Sequence, residues 1–134
     1  MKKSTVYLDM DGTIADLYGI ENWLPRLRNE DSNIFLECRP MVSKRILEKA
    51  LQNYRIVILS MTPKGATKEY CENVIAQKNA WLDKYFPFLN ERIYRPYGSN
   101  KNLKNSKNAI LIDDSESIRA SWRGVAVSPE ELWI

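Results

Sequence analysis

The sequence contains no histidine among its 134 residues. This absence excludes nucleophilic catalysis by a Ser-His-Asp or Cys-His arrangement, and it also excludes phosphohistidine chemistry and histidine-ligated zinc. Any chemistry that the chain performs must therefore use carboxylates, lysines, hydroxyl groups and, where a metal takes part, a cation that prefers oxygen ligands.

Cysteine and long apolar runs are also scarce. Cys38 and Cys71 lie far apart and lack the spacing of a metal site, which predicts two reduced thiols with a structural role. No apolar stretch approaches the length of a signal peptide or of a membrane span. We expect a cytoplasmic protein that does not associate with membranes, and the oligomeric state does not follow from the sequence.

The composition is typical of a folded single domain. Hydrophobic residues make up 44% of the chain and charged residues 28%. The length of 134 residues suffices for one core and not for two, so we expect residues 1–134 to form one domain. The net charge of +3 is too small to indicate a nucleic-acid-binding protein. Residues 92–108 nevertheless hold five basic residues and no acidic one, and they form either a solvated loop or a surface for an anionic ligand.

Apolar, β-branched runs of strand length alternate with helical patterns along the chain. Strands are predicted over residues 4–10, 55–60, 92–95, 109–114 and 124–127. Helices are predicted over residues 41–54, with Pro40 opening the helix, over 66–85 and 115–122, and after residue 128. The alternation predicts an α/β fold, a Rossmann-like parallel sheet flanked by helices, whose ligands bind beyond the carboxyl ends of the strands.

Polar side chains follow three of the predicted strands. Asp9 and Asp11 follow the first strand, Ser60 ends the second, and Asp113 and Asp114 end a third. If the first strand continues through both aspartates, their carboxylates project to the same side and repel each other. Either one of them is held protonated by the charge of the other, or a cation lies between them. Four carboxylates without histidine favour Mg²⁺, while the alternative is a simple Asp-Gly turn at a strand end.

A lysine interrupts the apolar stripe of the longest predicted helix. Lys78 lies where the helical period from Val74, Ile75 and Leu82 requires an apolar side chain. Either its long side chain reaches the surface, as lysines on such faces often do, or its ammonium points at a phosphate and at the acidic residues.

Together these motifs resemble a known family. "DMDGT" after a strand, a strand closing in Ser60, a helical lysine and "LIDD" at another strand end resemble, in the same order, the four motifs of haloacid dehalogenase-like phosphatases. "DMDGTIAD", "AQKNAWLDKYFP" (76–87) and "YGSNKNLK" before "LIDDS" are similar to the 5'(3')-deoxyribonucleotidase (5'-nucleotidase, deoxy, C type) branch, including its small bacterial and phage-type members. The resemblance extends from residue 6 to about residue 122.

The resemblance implies a role for each matching polar residue. Asp9 is then the nucleophile that forms an aspartyl-phosphate, and Asp11 protonates the leaving oxygen and later activates the hydrolytic water. Thr13 and Ser60 would hydrogen-bond the phosphoryl oxygens, with Thr62 as a further contributor. A lysine would supply positive charge to the nucleophile and the phosphate.

The same resemblance implies the cofactor and leaves one residue open. Mg²⁺ would be held by the carboxylates of Asp9 and Asp114 and the backbone carbonyl of Asp11, with Asp113 as a ligand or beside the ligands. The resemblance implies Lys78 as the phosphate lysine, and the basic run at residues 92–108 offers Lys101 as its replacement or as the partner of a second charge of the substrate.

Members of this family commonly carry a cap inserted after the first motif, for which only residues 14–39 are available here. Leu17, Ile20, Leu24 and Leu27 in this segment have helical spacing, so we expect a small helical cap over an open pocket.

The resemblance implies a Mg²⁺-dependent phosphomonoesterase whose substrate is a small phosphate ester, a (deoxy)nucleoside monophosphate. The alternatives are a phosphatase for polynucleotide ends or other small phosphate esters, a phospho-accepting receiver-like module and a phosphate-binding relative without activity. The receiver-like alternative requires an aspartate at the end of a middle strand, where this chain has Ser60.

Overall fold

The computed structural model describes residues 3–133, with side chains for residues 3–131. Its strands are β1 (Ser4–Leu8), β2 (Tyr54–Met61), β3 (Arg92–Arg95), β4 (Ile110–Ile112) and β5 (Val125–Val127). They form one sheet in the order β3-β2-β1-β4-β5, in which every neighbouring pair is parallel. The predicted α/β, Rossmann-like class is confirmed.

The helices are shorter than the sequence predicts. They are α1 (Trp23–Arg28), α2 (Lys44–Ala50), α3 (Lys68–Tyr85), α4 (Glu116–Ser121) and α5 (Glu130–Trp133). The prediction that Pro40 opens the second helix was wrong, because the hydroxyl of Ser43 accepts a hydrogen bond from the amide of Ile46 and so caps the helix further along the chain. Within residues 3–133, none of the helices has the length and apolar character needed to cross a membrane.

Two apolar clusters cover the two faces of the sheet. Side chains alternate along each strand, so Val6 and Leu8 of β1 join the larger cluster, which includes residues of α2 and α3. Tyr7 points to the other face and belongs to a cluster with Trp122 and, at its edge, Ile118 of α4. Cys38 is buried, Cys71 is half-buried, and both are free thiols as predicted.

The strand order fixes the place of a ligand site. The chain runs from the central strand β1 through β2 to the edge strand β3 and then returns to β4 on the other side of β1. In open parallel sheets, ligands bind at the carboxyl ends of the strands where the order reverses. Here that crevice lies between the ends of β1 and β4.

Residues 14–39, called the insert below, leave the sheet after β1 and return to the same place. The amide of Asp16 donates to the carbonyl oxygen of Arg39 at 2.9 Å, and the amide of Met41 donates to that of Ile14 at 2.8 Å. The helical stripe predicted from Leu17 is helical only over α1, followed by a short 3₁₀-helix at Ile34–Glu37.

Side chains of α3, among them Gln77 and Trp81, hold the insert against the core. The buried side chain of Gln77 accepts a hydrogen bond from the amide of Phe35 at 2.9 Å and donates to the carbonyl oxygen of Asp31 at 3.2 Å. The indole of Trp81 donates to the carbonyl oxygen of Cys38 at 2.8 Å. These contacts satisfy buried backbone groups of a segment that has little regular structure of its own.

Candidate active site

The backbone turns sharply where β1 ends. The strand predicted over residues 4–10 ends at Leu8, so it does not continue through both aspartates, although the amide of Asp9 still donates to the carbonyl oxygen of Ile112 at 3.0 Å. The carbonyl oxygen of Met10 then accepts the amides of the three residues after Gly12 at 2.9 to 3.0 Å, and Gly12 itself has a φ of +78°. Asp9 and Asp11 therefore do not lie on one extended strand.

The carboxylate of Asp9 is buried between two donors. Its Oδ1 accepts a hydrogen bond from the Nζ of Lys101 at 3.0 Å, and its Oδ2 accepts one from the Oγ1 of Thr13 at 2.9 Å. Burial raises the pKa of Asp9 well above its ordinary value, the charge of Lys101 opposes this, and the charges of Asp113 and Asp11 add to it. The surroundings of Asp9 among the described residues therefore disfavour its ionised form.

Three carboxylates converge beside this position. Asp9, Asp113 and Asp114 each offer one oxygen, and these oxygens all lie within 4.8 Å of one another. Gly12 permits this approach, because a Cβ at that position would collide with the carboxylate of Asp114. Partial burial raises the pKa of Asp114, and a hydrogen bond to Asp9 opposes the rise. A tight group of carboxylate oxygens fits a hard divalent cation such as Mg²⁺.

Lys101 is the buried cation of this cluster. Its Nζ donates to the Oδ2 of Asp113 at 2.7 Å, to the Oδ1 of Asp9 at 3.0 Å and to the carbonyl oxygen of Leu59 at 3.1 Å. Burial lowers the pKa of Lys101, but the two carboxylates together outweigh it and raise that pKa overall. Lys101 thus stays charged beside the predicted nucleophile.

Asp11 has a different lysine. Its Oδ2 accepts a hydrogen bond from the Nζ of Lys78 at 3.0 Å, and the same ammonium donates to the Oγ of Ser60 at 2.7 Å and to the carbonyl oxygen of Met61 at 2.8 Å. Lys78 is completely buried, so the interpretation that its side chain reaches the surface was wrong. The ammonium faces the acidic residues, as the alternative interpretation predicts.

The net charge of this site matches that of one divalent cation with the opposite sign. Asp9, Asp11, Asp113 and Asp114 carry four negative charges when ionised, and the contacts above bring two ammonium groups to them. Four negative charges less two positive charges leave a charge of −2. A bound Mg²⁺ would neutralise that remainder, so the residues present fit this ion in both ligand type and charge.

A cavity of about 880 Å³ opens over the acidic residues. The predicted site residues that line it are Asp9, Asp11, Thr62, Lys101, Asp113 and Asp114. The others, Thr13, Ser60 and Lys78, are fully buried and are not among the described residues that line it. Six of the predicted residues thus line the cavity. The other three are buried and are hydrogen-bonded to these six, directly or through Lys78.

The insert forms one wall of the cavity, which the sequence did not predict. Tyr18 and Trp23 line the cavity and pack edge to face, with ring centroids 4.9 Å apart. Burial and the charges of the four aspartates raise the pKa of Tyr18. Arg28 and Lys64 lie exposed on the rim, and neither forms an ion pair with any of residues 3–131. No pattern in the sequence distinguishes Arg28 and Lys64 from the other basic residues, so the sequence did not predict them.

The basic run at residues 92–108 is dispersed by the fold. Arg92 pairs with Asp83 at 2.8 Å, Lys101 is buried in the site, and Lys104 and Lys107 are exposed away from the cavity lining. The two tyrosines of this run also lie in different surroundings. Tyr97 lines the cavity, whereas the hydroxyl of Tyr94 donates to Asn79 at 2.7 Å and its ring packs against the core.

A scan against protein-family models and a search of curated proteins find no match for this chain. The grounds for a function are therefore the motifs of the sequence and the geometry of the site.

Proposed function

We propose that this chain is a Mg²⁺-dependent phosphomonoesterase of the haloacid dehalogenase-like type that acts through an aspartyl-phosphate on Asp9. One observation carries the proposal. Asp9 and Asp11 are two residues apart, yet each carboxylate has its own buried lysine, so the pair is built for two different tasks. A turn that served only to end a strand would need neither lysine.

The chemistry assigned to the two aspartates balances over two steps. In the first, a carboxylate oxygen of Asp9 forms a bond to phosphorus, the ester P–O bond breaks, and the leaving oxygen takes a proton from Asp11. In the second, a water oxygen attacks phosphorus, Asp11 takes a proton from that water, and Asp9 leaves with the electron pair of its bond. The products are an alcohol and inorganic phosphate.

The remaining residues prepare the nucleophile and bind the phosphoryl group. Thr13 and Lys101 each hold one oxygen of Asp9 and so fix its orientation. Thr62 lines the cavity and is available to a phosphoryl oxygen. Mg²⁺ would be held by the carboxylates of Asp9, Asp113 and Asp114 and by the backbone carbonyl of Asp11. The bound ion would neutralise the negative charge of the carboxylates and the phosphoryl group.

The substrate class that we propose is a (deoxy)nucleoside monophosphate. The motif resemblance to the deoxyribonucleotidase branch supports it, with the insert taking the place of the cap of that family. The size of the cavity and its aromatic side at Tyr18 and Trp23 are compatible with a base and a sugar.

Phosphate release tests this proposal. Purified protein is incubated with a panel of nucleoside monophosphates and sugar phosphates, with Mg²⁺ and with an excess of chelator. We expect release from nucleotides only with Mg²⁺, and none from Asp9→Asn. Activity that survives complete chelation would contradict the metal-dependent reaction. A stable phosphoprotein without phosphate release would support a phospho-accepting module instead.

A phosphatase for polynucleotide ends is the second candidate. The exposed Arg28 and Lys64 on the rim of the cavity favour it, because a second phosphate of a longer substrate would meet them. If this function is correct, a terminally phosphorylated dinucleotide will have a higher kcat/KM than the mononucleotide, and the advantage will fall with salt and in Lys64→Ala. Equal values for the two substrates would remove the support for it.

A further inference from the structure

We propose that Lys78 is a positioning residue: its buried ammonium holds the side chain of Asp11 in place and does not bind the substrate phosphate. The inference rests on the proposed function, since the proton transfers are those assigned to Asp11 above. It differs from the role that the motif resemblance implies, in which this lysine supplies charge to Asp9 and the phosphate.

The hydrogen-bonding capacity of Lys78 is fully used within the protein. An ammonium group has three donors. One goes to Asp11, and the other two go to Ser60 and to the carbonyl oxygen of Met61, at distances between 2.7 and 3.0 Å. No donor remains for a phosphoryl oxygen.

The position of Lys78 also separates it from the cavity. Its side chain has no exposed surface, and its Nζ lies 4.9 Å from the ring centre of Phe35, a residue that does line the cavity. Lys101 also has three acceptors within the protein, so the number of used donors does not separate the two lysines. Lys101 differs because it lines the cavity itself and two of its acceptors are carboxylates of the acidic cluster. A phosphate bound there would meet Lys101.

The state of Asp11 explains why a buried cation is needed. One oxygen, Oδ2, is held by Lys78, while Oδ1 is buried and has no hydrogen-bond partner among the described residues. An unpartnered buried acceptor destabilises the protein, so its retention points to a function. Fixing one oxygen restricts the rotation of the carboxyl group, and proton transfer requires the donor within hydrogen-bond reach of the leaving oxygen.

The consequence is specific to the leaving group. An alkyl ester, such as a nucleoside monophosphate, leaves as an alkoxide that needs the proton of Asp11. A p-nitrophenyl ester leaves as a stable phenolate that does not. Since kcat/KM reports the steps up to the first irreversible one, it isolates the phosphorylation of Asp9 from the later hydrolysis.

The first experiment compares the parent with Lys78→Met on both esters. We expect kcat/KM to fall by about 10²-fold for the nucleotide, as for a misplaced catalytic group, and by less than about 10-fold for p-nitrophenyl phosphate. The inhibition constant of inorganic phosphate should not change. Lys101→Met serves as the comparison, with an expected loss on both esters and weaker inhibition by phosphate. Equal losses on both esters for Lys78→Met, with weaker phosphate inhibition, would overturn the proposal.

The second experiment removes both partners. Lys78→Met combined with Asp11→Asn leaves no unpaired charge, so this variant keeps the test open if Lys78→Met alone does not fold. If Lys78 acts through Asp11, the double variant will have the kcat/KM of Asp11→Asn alone. Losses that multiply would show an independent role for Lys78 and overturn the inference.

Melting curves in chelator add a readout that does not depend on activity. The double variant should recover stability that Lys78→Met loses, because the two charges are partners in the fold. Additive losses in melting temperature would contradict that partnership. A parent without Mg²⁺-dependent phosphate release would refute the proposed function and this inference with it, whereas an active parent with the wrong variant pattern would refute only the inference.

Discussion

Asp9→Asn and Asp11→Asn should change stability in opposite directions when Mg²⁺ is absent, although the two residues are only two positions apart. Asp9 belongs to a group of three carboxylates, so removing its charge relieves repulsion. Asp11 is the carboxylate partner of the buried Lys78, so removing its charge leaves an ammonium without a counter-charge. The magnitude of each effect follows from these contacts.

Replacement of Asp9 should stabilise the metal-free protein. The pKa of Asp9 is raised in the folded state, so ionisation at neutral pH costs free energy in the folded chain and not in the unfolded one. Lys101 keeps Asp113 at 2.7 Å and is not left alone. Relief of unfavourable charge contacts commonly gains about 0.5–2 kcal/mol, so we expect the melting temperature to rise by roughly 2–8 °C for a domain of this length.

Replacement of Asp11 should destabilise the same protein. Removing one member of a buried ion pair costs about 3–5 kcal/mol when the other charge is left unpaired. Here Lys78 retains Ser60, Met61 and the amide oxygen of the variant as acceptors, so the loss is closer to that of a charged hydrogen bond, about 1.5–3 kcal/mol. The melting temperature should fall by roughly 5–12 °C.

Thermal melting of the three proteins in chelator and in Mg²⁺ checks both values. Saturating Mg²⁺ should raise the melting temperature of the parent and of Asp11→Asn, because the latter keeps its backbone carbonyl, and should have little effect on Asp9→Asn. Clear destabilisation of Asp9→Asn in chelator would refute the reasoning. It would mean that the Asp9 carboxylate, held by Thr13 and Lys101, has a structural role that outweighs the repulsion.

Three further predictions follow from single contacts. Gly12→Ala should weaken Mg²⁺ binding and destabilise the fold by more than Gly98→Ala does. Gly98 also has a positive φ, but no atom lies near its Cβ position, so its replacement should cost only about 1 kcal/mol. Isothermal titration with Mg²⁺ and thermal melting compare the two variants. The stabilisation by Mg²⁺ should increase as pH rises, because the pKa of Asp9 is raised and the ion therefore displaces a proton. In chelator, the stability of the protein should fall over the same pH range, because ionisation of Asp9 costs free energy in the folded state. Thermal melting at several pH values tests this, and a constant Mg²⁺ effect would contradict it. Gln77→Ala should cost about 1–3 kcal/mol, because the amide of Phe35 loses its buried acceptor while the carbonyl oxygen of Asp31 keeps only the hydroxyl of Tyr70. It should raise KM without changing Mg²⁺ affinity, and an unchanged KM would show that the insert does not depend on this anchor.

Strand and helix alternation was sufficient to predict the class of fold from the sequence. The apolar runs that became β1, β2 and β4 are short and β-branched, and their alternation with helical patterns favours a parallel sheet that is covered on both faces. The helix boundaries did not follow from the same pattern. Ser43 competes with Pro40 as a helix start, and the hydroxyl that caps the helix prevails because it satisfies an amide that would otherwise have no partner.

The insert shows where periodicity fails. Leu17 and Leu27 have helical spacing, but Leu17 is buried in the turns that precede α1. Short segments gain little from their own helical hydrogen bonds, so their conformation is decided by the surfaces against which they pack. In this chain that surface is α3, and its contribution through Gln77 cannot be read from the sequence of the insert.

The sequence by itself determined which chemistry is available and at which edge of the sheet it lies. The absence of histidine, together with carboxylates that end parallel strands, is sufficient for that, because the carboxyl ends of such strands meet on one side. Only the tertiary structure decided the pairing of charges. Lys78 is 67 positions from Asp11, and Lys101 is 92 positions from Asp9, and nothing in either spacing says which lysine serves which carboxylate. A buried ammonium lies where its three donors find acceptors, and those acceptors come together only when the strands and α3 pack.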